Sequence, residues 1–334
     1  MATFKGSVPG NVVSNHIGCL KIGEIRMSLP KLVVIEGTNA SGKSGLGVEL
    51  ALQFSGEIIS ADSRQVYRGL NLGSGKITPV EMKGVPHHLL DVREPGDFFS
   101  MADFQRLSYE AIGEITGRGN TPFLVGGTGL YVDAVADGYH LSDKAPDLEL
   151  RAWYETFETP ELYRMLCEKI PNPDVDPKNR HRVMRMLEKI AAGDNTTPEK
   201  TPRFELLKIG VTWPREILRQ RIDERLERRL QEGMAEEVQQ LLDQGVSPEF
   251  LIKLGLEYKY LTWYLTGKMG REQMKEELET AIWKFAKRQM TWFRRDPRIH
   301  WLNMEEEPES EAASLIRSFL SEDTDSFLHP ESRE

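Results

Sequence analysis

Cysteine is nearly absent from this 334-residue chain: Cys19 and Cys167 are the only two, far apart and outside any Cys-x-x-Cys pair. That scarcity excludes a disulfide-stapled scaffold and a zinc module, and it suits a reducing, cytoplasmic setting. No apolar run approaches the ~20 residues a membrane-spanning helix needs, so no membrane association is expected. Residues 1–30 contain neither a long apolar segment nor an arginine-rich helical pattern, which argues against a secretory signal. A poorly ordered N-terminal extension is the expectation there, with Met27 as an alternative start. Internal repeats and low-complexity blocks are also missing. The net charge is −9, the wrong sign for a nucleic-acid binder, but it is unevenly placed. Residues 303–334 hold ten acidic side chains and two arginines, a net of −8, so the remaining body carries only −1. Local basic faces fit on such a body, and 303–334 reads as a solvated acidic tail.

What is present begins with Leu32-Val33-Val34-Ile35-Glu36, followed by Gly37-Thr38-Asn39-Ala40-Ser41-Gly42-Lys43-Ser44 and then Leu46, Val48, Leu50 and Leu52 at helix-compatible positions. A buried strand, a Gly-x-x-x-x-Gly-Lys-Ser loop and a helix in succession make a phosphate-cradling P-loop. Gly37 and Gly42 permit the turn, while the N–H groups of Thr38, Asn39, Ala40 and Ser41 and the helix N-terminus present anion-binding dipoles. Lys43 adds a point charge, and the Ser44 hydroxyl is placed to ligate a magnesium ion bridging phosphates.

Short apolar strands recur at Glu57–Ala61 and Pro122–Val125, with a helix over Met101–Thr116 capped by Ser100 and another opening near Leu130. This alternation predicts an α/β fold, a P-loop NTPase-like parallel sheet covered by helices, over residues 31–140. Residues 141–200, punctuated by Pro146, Pro160, Pro171, Pro173 and Pro177, read as a helical insertion domain. Residues 201–302 return to the core, with a strand over Glu205–Trp213, a helix after Pro214, helical segments near 249–266 and 271–296, and a last strand at Ile299–Leu302. Ligands in such sheets sit beyond the carboxyl ends of the strands, so Gly37, Asp62 and Gly126–Thr128 should meet at one crevice.

Asp62 ends the second strand close to the P-loop, where a carboxylate can bind magnesium or act as a general base; a turn or helix-capping aspartate is the plainer alternative. Ordinary P-loop ATPases place a magnesium-binding acid after a further strand. Here that strand ends in Gly126-Gly127-Thr128, with no acid, and no Asn-Lys-x-Asp guanine signature occurs. The loop thus looks turned to a phosphate ligand that is not simply hydrolysed. Three helical segments carry basic stripes: Lys178, Arg182, Arg185 and Lys189; Arg221, Arg225 and Arg228; and Lys284, Lys287, Arg288 and Arg295. One such stripe is usually a solvated face, and Glu216, Asp223, Glu224 and Glu227 can pair off much of the second. Three together point to a phosphate-rich polymer as strongly as to plain solvated faces. His87 and His88 are adjacent and point to opposite sides of a strand or turn, which favours structural hydrogen bonding over a shared metal.

From about Lys31 to Leu302 the chain closely resembles the tRNA dimethylallyltransferases. The likeness rests on Gly37–Ser44, Ser60–Tyr67, Leu90–Arg93, Val125–Tyr131, Arg185–Glu188, Arg221–Arg225 and Ala286–Phe293, in that order. The resemblance implies attack by the exocyclic amine of an adenosine just 3′ of the anticodon on dimethylallyl diphosphate, with release of diphosphate. By motif position it implies Asp62 and Thr128 as catalytic residues and Arg221 as a further diphosphate ligand, with Mg²⁺ at Ser44. It also implies tRNA contacts at Asp62, Ser63, Arg64, Gln65, Thr128 and Arg151, along His181, Arg182, Val183, Met184 and Arg185, and at Lys253, Lys259, Lys287 and Arg288. A monomer is the default expectation. Two departures stand out: Leu254-Gly255-Leu256-Glu257-Tyr258-Lys259 inserts two residues into the family's Gly-Tyr-Lys, and Asn71–Lys76 replaces its usual Gly-Thr-Ala-Lys. An adenine-nucleotide prenyltransferase is a second reading, which would not need the basic helices; a P-loop small-molecule kinase or nucleic-acid-binding ATPase is a third, weakened by the missing acid.

Overall fold

A computed structural model describes residues 29–142, 147–194, 199–306 and 308–328, with residues 322–328 described by their backbone alone. The expected extension over residues 1–30 lies almost wholly outside the described residues, as does Pro146. The core opens with β1 (Lys31–Gly37), α1 (Lys43–Gln53), β2 (Gly56–Ala61), α2 (Pro79–Met82), β3 (His87–His88), α3 (Met101–Gly117), β4 (Thr121–Gly126) and α4 (Gly129–Ala136). The insertion contributes α5 (Leu148–Glu155), α6 (Thr159–Lys169) and α7 (Arg180–Ala191). The chain returns through β5 (Glu205–Thr212), α8 (Arg215–Gln231), α9 (Met234–Asp243), α10 (Pro248–Leu254) and α11 (Leu256–Leu265). It finishes with α12 (Arg271–Phe293), β6 (Ile299–Asn303) and α13 (Pro308–Leu328).

The sheet is parallel throughout, in the order β3-β2-β4-β1-β5-β6. As the near-continuous apolar run of β1 requires, that strand is central and buried on both faces. Val33 and Ile35 pack with Leu46, Leu50 and Ile316 on one side, and Leu32 and Val34 with Phe104, Ile112 and Val135 on the other. Ser100 caps α3 in a reciprocal pair with Asp103, which fixes where that helix starts. Among the described residues no helix is long and apolar enough to cross a membrane.

Two segments differ from the sequence expectation. The supposed single helix near 249–266 breaks at Gly255, where φ is 74°, and restarts at Leu256. The segment expected to be a solvated acidic tail instead forms α13, with Ala312, Ala313 and Ile316 buried against the α1 side of the sheet. Lys31 Nζ donates to its Phe319 carbonyl at 2.6 Å. Net charge averages over all faces of a helix and so hides a narrow apolar stripe; Glu309 and Glu311 sit in the first turn, where the helix dipole favours them.

Behind the P-loop lies a buried ionic network. Lys208 of β5, 1% exposed, reaches Asp296 at 2.7 Å, Glu36 at 3.4 Å and Asp133 at 3.6 Å. Arg298 bridges Asp296 to Asp137, which also holds Lys200. Four carboxylates thus share three cations, and burial pushes the Glu36 carboxyl up to about 7, against the pull of Lys208. An acid whose pKa is raised on folding contributes stability below its unfolded value of 4.5 and loses it as pH climbs through 7. Glu36→Gln should therefore melt near the parent at pH 5 but above it at pH 8.5; scanning calorimetry at the two pH values checks this, and an equal difference at both would clear Glu36 of the effect.

Candidate active site

The carboxyl ends of β1, β2 and β4 open into one cavity of about 780 Å³, lined by Asn39–Ser44, Asp62, Gln65, Gly126 and the inward face of α8. The crevice expected from the strand ends is thus present. Arg221, Arg225 and Arg229 lie at i, i+4 and i+8 on α8 and all face it. The second basic stripe is therefore largely part of this site, and only Arg228 of its members is exposed, pairing with Glu232 at 3.7 Å. Of the acids on the same helix, Glu227 turns away to hold Lys275 at 2.7 Å, while Glu224, at the cavity wall, accepts from Gln220.

The P-loop is held from outside through its carbonyls. Arg221 Nε donates to the Ala40 carbonyl at 3.0 Å, Trp213 Nε1 donates to the Ser41 carbonyl at 2.8 Å, and the guanidinium stacks 4.4 Å over the Trp213 ring. Asn39 N–H is taken by Gln289 Oε1 and Ser41 N–H by the Thr38 carbonyl, which leaves the other N–H groups of the loop for an anion. Lys43 donates to the Thr38 carbonyl at 3.3 Å. Burial, with Arg225 adding repulsion and Asp62 opposing, pulls its ammonium down to about 8. Arg225 is pulled down to about 9 by burial, with Arg229 next to it. Both guanidinia press on Gly75, where a Cβ would fall 1.7 Å from Arg229 Nη2 and 2.1 Å from Arg225 Nη2, so only glycine fits. Lys76 and Lys83 at the cavity wall are paired with Asp91 and Glu49. Lys43, Arg221 and Arg225 have no carboxylate within ion-pair distance among the described residues, and Arg229 has only Glu257, at 4.0 Å. Poorly compensated cations around backbone N–H donors make a site for a multiply charged anion.

The Asp62 turn adjoins it. Asp62 Oδ1 accepts from Arg64 N–H at 2.9 Å, which leaves its other oxygen without a protein hydrogen-bond donor among the described residues. The Thr128 hydroxyl accepts from Ser63 N–H at 3.2 Å, and Thr128 N–H donates to the Ala61 carbonyl. Gln65 accepts from Ser60 Oγ and donates to the Gly75 carbonyl, tying the Asp62 turn to the arginine wall. Arg64 is held by Glu257 at 3.0 Å, so the restart of the chain at Leu256 brings a buried carboxylate between Arg64 and Arg229. Glu237 accepts from the N–H groups of Asn71, Leu72 and Gly73 and from Tyr258 Oη, which pins the divergent Asn71–Lys76 loop.

Ser44 is exposed at the cavity floor. No cluster of three His, Cys, Asp or Glu side chains suited to a metal occurs among the described residues. A magnesium ion fits here only as a guest of Ser44 Oγ, phosphate oxygens and water. The two histidines go to structure: His88 pairs with Glu57 at 2.7 Å and His87 with the Val85 carbonyl. Glu57 is held down to about 2, chiefly by its bond from Arg118, with Asn120 and His88 adding to it.

The remaining expected tRNA contacts spread over the insertion and the late helices. His181 and Arg182 are exposed on α7, whereas Val183 and Met184 are buried in the insertion's own core, where their side chains pack rather than reach outward. Arg151 is engaged by Glu188 through bonds of 2.6 and 2.8 Å, and Arg185 shares that carboxylate at 3.3 Å. Lys253 pairs with Glu155 at 3.2 Å, and Lys259 lies 4.3 Å over Trp263. Lys287 and Arg288 are exposed beside Trp283 and Phe285. The sequence reading missed Arg229, Trp213, Glu237, Glu257 and Gln289; only Arg229 carried a signal, its four-residue spacing from Arg225.

A family model described as IPP transferase matches residues 65–296. A "tRNA dimethylallyltransferase 2" from Shewanella sediminis is 46% identical over 280 residues, covering 81% of this chain and 92% of its own length. A "tRNA dimethylallyltransferase 1" from Geotalea uraniireducens is 42% identical, covering 86% and 97%. The crystal structure of a full-length tRNA isopentenylpyrophosphate transferase from Bacillus halodurans superposes with a TM-score of 0.69 at 37% identity, covering 90% of this chain and 99% of that one. A eukaryotic dimethylallyltransferase caught acting on tRNA gives 0.73 at 26% identity, covering 87% and 80%. With most of its length matched by the family model and by relatives at this identity, the chain belongs to the IPP transferase family.

Proposed function

We propose that this protein transfers a dimethylallyl group from dimethylallyl diphosphate to the N6 amine of the adenosine 3′-adjacent to the anticodon of tRNA, releasing diphosphate. The observation that carries the reading is the joining, in one cavity, of the P-loop and four cations with Asp62, and with a β4 turn that bears no acid. Such a site holds a diphosphate that leaves whole. The end of β4, Gly126-Gly127-Thr128, gives no carboxylate of the kind that supports attack of water on a nucleoside triphosphate.

In the reaction the amine lone pair forms the new C–N bond to the allylic carbon while the C–O bond breaks and its electrons pass to diphosphate. An adenine amine is a weak nucleophile because its lone pair is delocalised into the ring, so a base that takes its proton as the bond forms is worth ~10²–10⁴-fold. Asp62, with one oxygen fixed by Arg64 N–H and the other open, fills that role. Thr128, hydrogen-bonded to the same turn through Ser63, orients the amine. The P-loop N–H groups, Lys43, Arg221, Arg225 and Arg229 take up the charge that develops on the leaving group. Magnesium, when bound at Ser44 and the phosphates, adds charge neutralisation to the same oxygens. The target base must leave its stack to reach the cavity. His181 and Arg182 on the insertion, with Lys287 and Arg288 on α12, grip the anticodon stem-loop of the single tRNA a monomer binds. We assign that work to the cytoplasm, a reading that the scarcity of cysteine supports.

Labelled dimethylallyl diphosphate with Mg²⁺ and either unmodified tRNA or AMP tests the reading: label should enter tRNA, and label entering AMP alone would overturn it. Asp62→Ala should keep tRNA affinity within a few-fold while turnover drops ~10²–10⁴-fold; unchanged turnover would remove Asp62 as the base. Affinity for a non-reacting thiolo analogue of the donor should weaken as pH rises past about 8 and Lys43 loses its proton. In Lys43→Met the affinity should start low and show no such limb in a calorimetric titration. The same limb persisting in that variant would assign it to another group.

A further inference from the structure

Within the Lys287–Trp292 stretch of α12, one polar side chain faces inward. Gln289 is buried. Its Nε2 donates to the Gly127 carbonyl at 2.8 Å, and its Oε1 accepts from Asn39 N–H at 2.9 Å. The two partners fix the amide's orientation, since only one end of a glutamine side chain donates. Asn39 belongs to the P-loop, and Gly127 directly precedes Thr128. One side chain therefore spans the gap between the leaving-group cradle and the acceptor turn. Trp292, nearly one helical turn on, anchors the same helix: its Nε1 donates to Asp133 Oδ2 at 2.8 Å, and its indole lies where a Cβ on Gly129 would fall 2.3 Å away.

Resting on the reaction assigned above, we infer that Gln289 is a positioning residue that sets the separation between the diphosphate cradle and the acceptor turn. It touches neither substrate. It acts through Asn39, whose loop holds the diphosphate, and through Gly127, whose neighbour Thr128 adjoins the amine. Displacement at carbon needs the amine, the allylic carbon and the departing oxygen close to a line, with the reacting atoms about 3–3.5 Å apart. An error of roughly 1 Å costs on the order of 10²-fold. The pairing of β1 with β4 ends at Glu36 and Gly126, and beyond it the buried amide bonded to both loops carries the distance between them.

The test uses Gln289→Glu and Gln289→Met in the full-length protein, with thermal melting as a check that each folds. At pH 8 both variants should transfer the prenyl group to tRNA ~10²-fold more slowly in single turnovers, with the KM for tRNA moving less than about threefold. A protonated glutamic acid reproduces both bonds: its O–H donates to the Gly127 carbonyl, and its C=O accepts from Asn39 N–H. Burial favours that neutral form against the pull of the Lys43 ammonium, which also lies beside Gly127, and acidification adds to burial. The Gln289→Glu rate, taken relative to the parent at each pH, should therefore recover on acidification to pH 6, while the Gln289→Met ratio stays low. Hydrogen exchange at the Asn39 amide should accelerate in Gln289→Met but not in Gln289→Glu, a readout that does not depend on prenyl transfer. The brace is overturned if Asn39 exchanges alike in parent and Gln289→Met, or if the two variants track each other at every pH. It is equally overturned if the loss falls on the KM for tRNA, which would make Gln289 part of the tRNA grip with Lys287 and Arg288. Should the parent itself transfer no prenyl group, the reaction assignment fails while the exchange data still decide the brace.

Discussion

Lys43, Arg221, Arg225 and Arg229 converge on one cavity with fewer carboxylates than they need, and much of the surrounding structure serves to hold them there. Cations so placed repel one another and are costly to desolvate. The protein manages this without cancelling their charge. Arg221 is fixed by a carbonyl and an indole face, Arg225 and Arg229 by the shape of the Gly75 turn, and Arg229 by a carboxylate that Arg64 also claims. Each device restrains position while leaving the field directed into the cavity. The surplus positive charge suits the site to a multiply charged anion.

The helical insertion follows a different rule. Its own core of Tyr154, Leu162, Leu166, Val183 and Leu187 lets it stand as a compact lobe. Two of its arginines, Arg151 and Arg185, share Glu188, with Asp194 4.0 Å from Arg185, and Arg180 is held by the carbonyls of Tyr154, Glu155 and Phe157. Half-buried pairs of this kind fix the orientation of a face more than they add to its stability. The charge left to meet a polyanion is carried by side chains at the rim, such as His181 and Arg182.

The sheet and the P-loop were legible because both depend on short-range pattern: an apolar run, a glycine-rich turn, a helix, each visible within about a dozen residues. The Ser100 cap was legible for the same reason. What could not be read are long-range pairings. The spacing of Gln289 from Ile282, Ala286 and Phe293 puts it on the apolar row of its helix, but its partners at 39 and 127 are adjacent only after folding. Glu257 looks like a surface acid until the break at Gly255 turns it inward toward Arg64. Periodicity did reveal Arg221 and Arg225, but a stripe on a helix does not say whether solvent, RNA or a cavity lies opposite. For α13 the error had the reverse sign, since an abundance of acid concealed three buried small and branched residues.

The order of elements along the chain has a further consequence. The phosphate loop is among the first structured parts to be synthesised, yet the helix that braces it and the strand and helix that cover its flank come last: Gln289, Ile299–Asn303 and Pro308–Leu328. During translation the loop therefore emerges long before its supports, with Leu46 and Val48 lacking the partners that α13 later supplies. Gln289, which bonds both the Asn39 N–H and the Gly127 carbonyl, joins the two loops only once α12 has been made. The long-range contacts around the loop therefore close in the reverse of the order in which its own short-range contacts form.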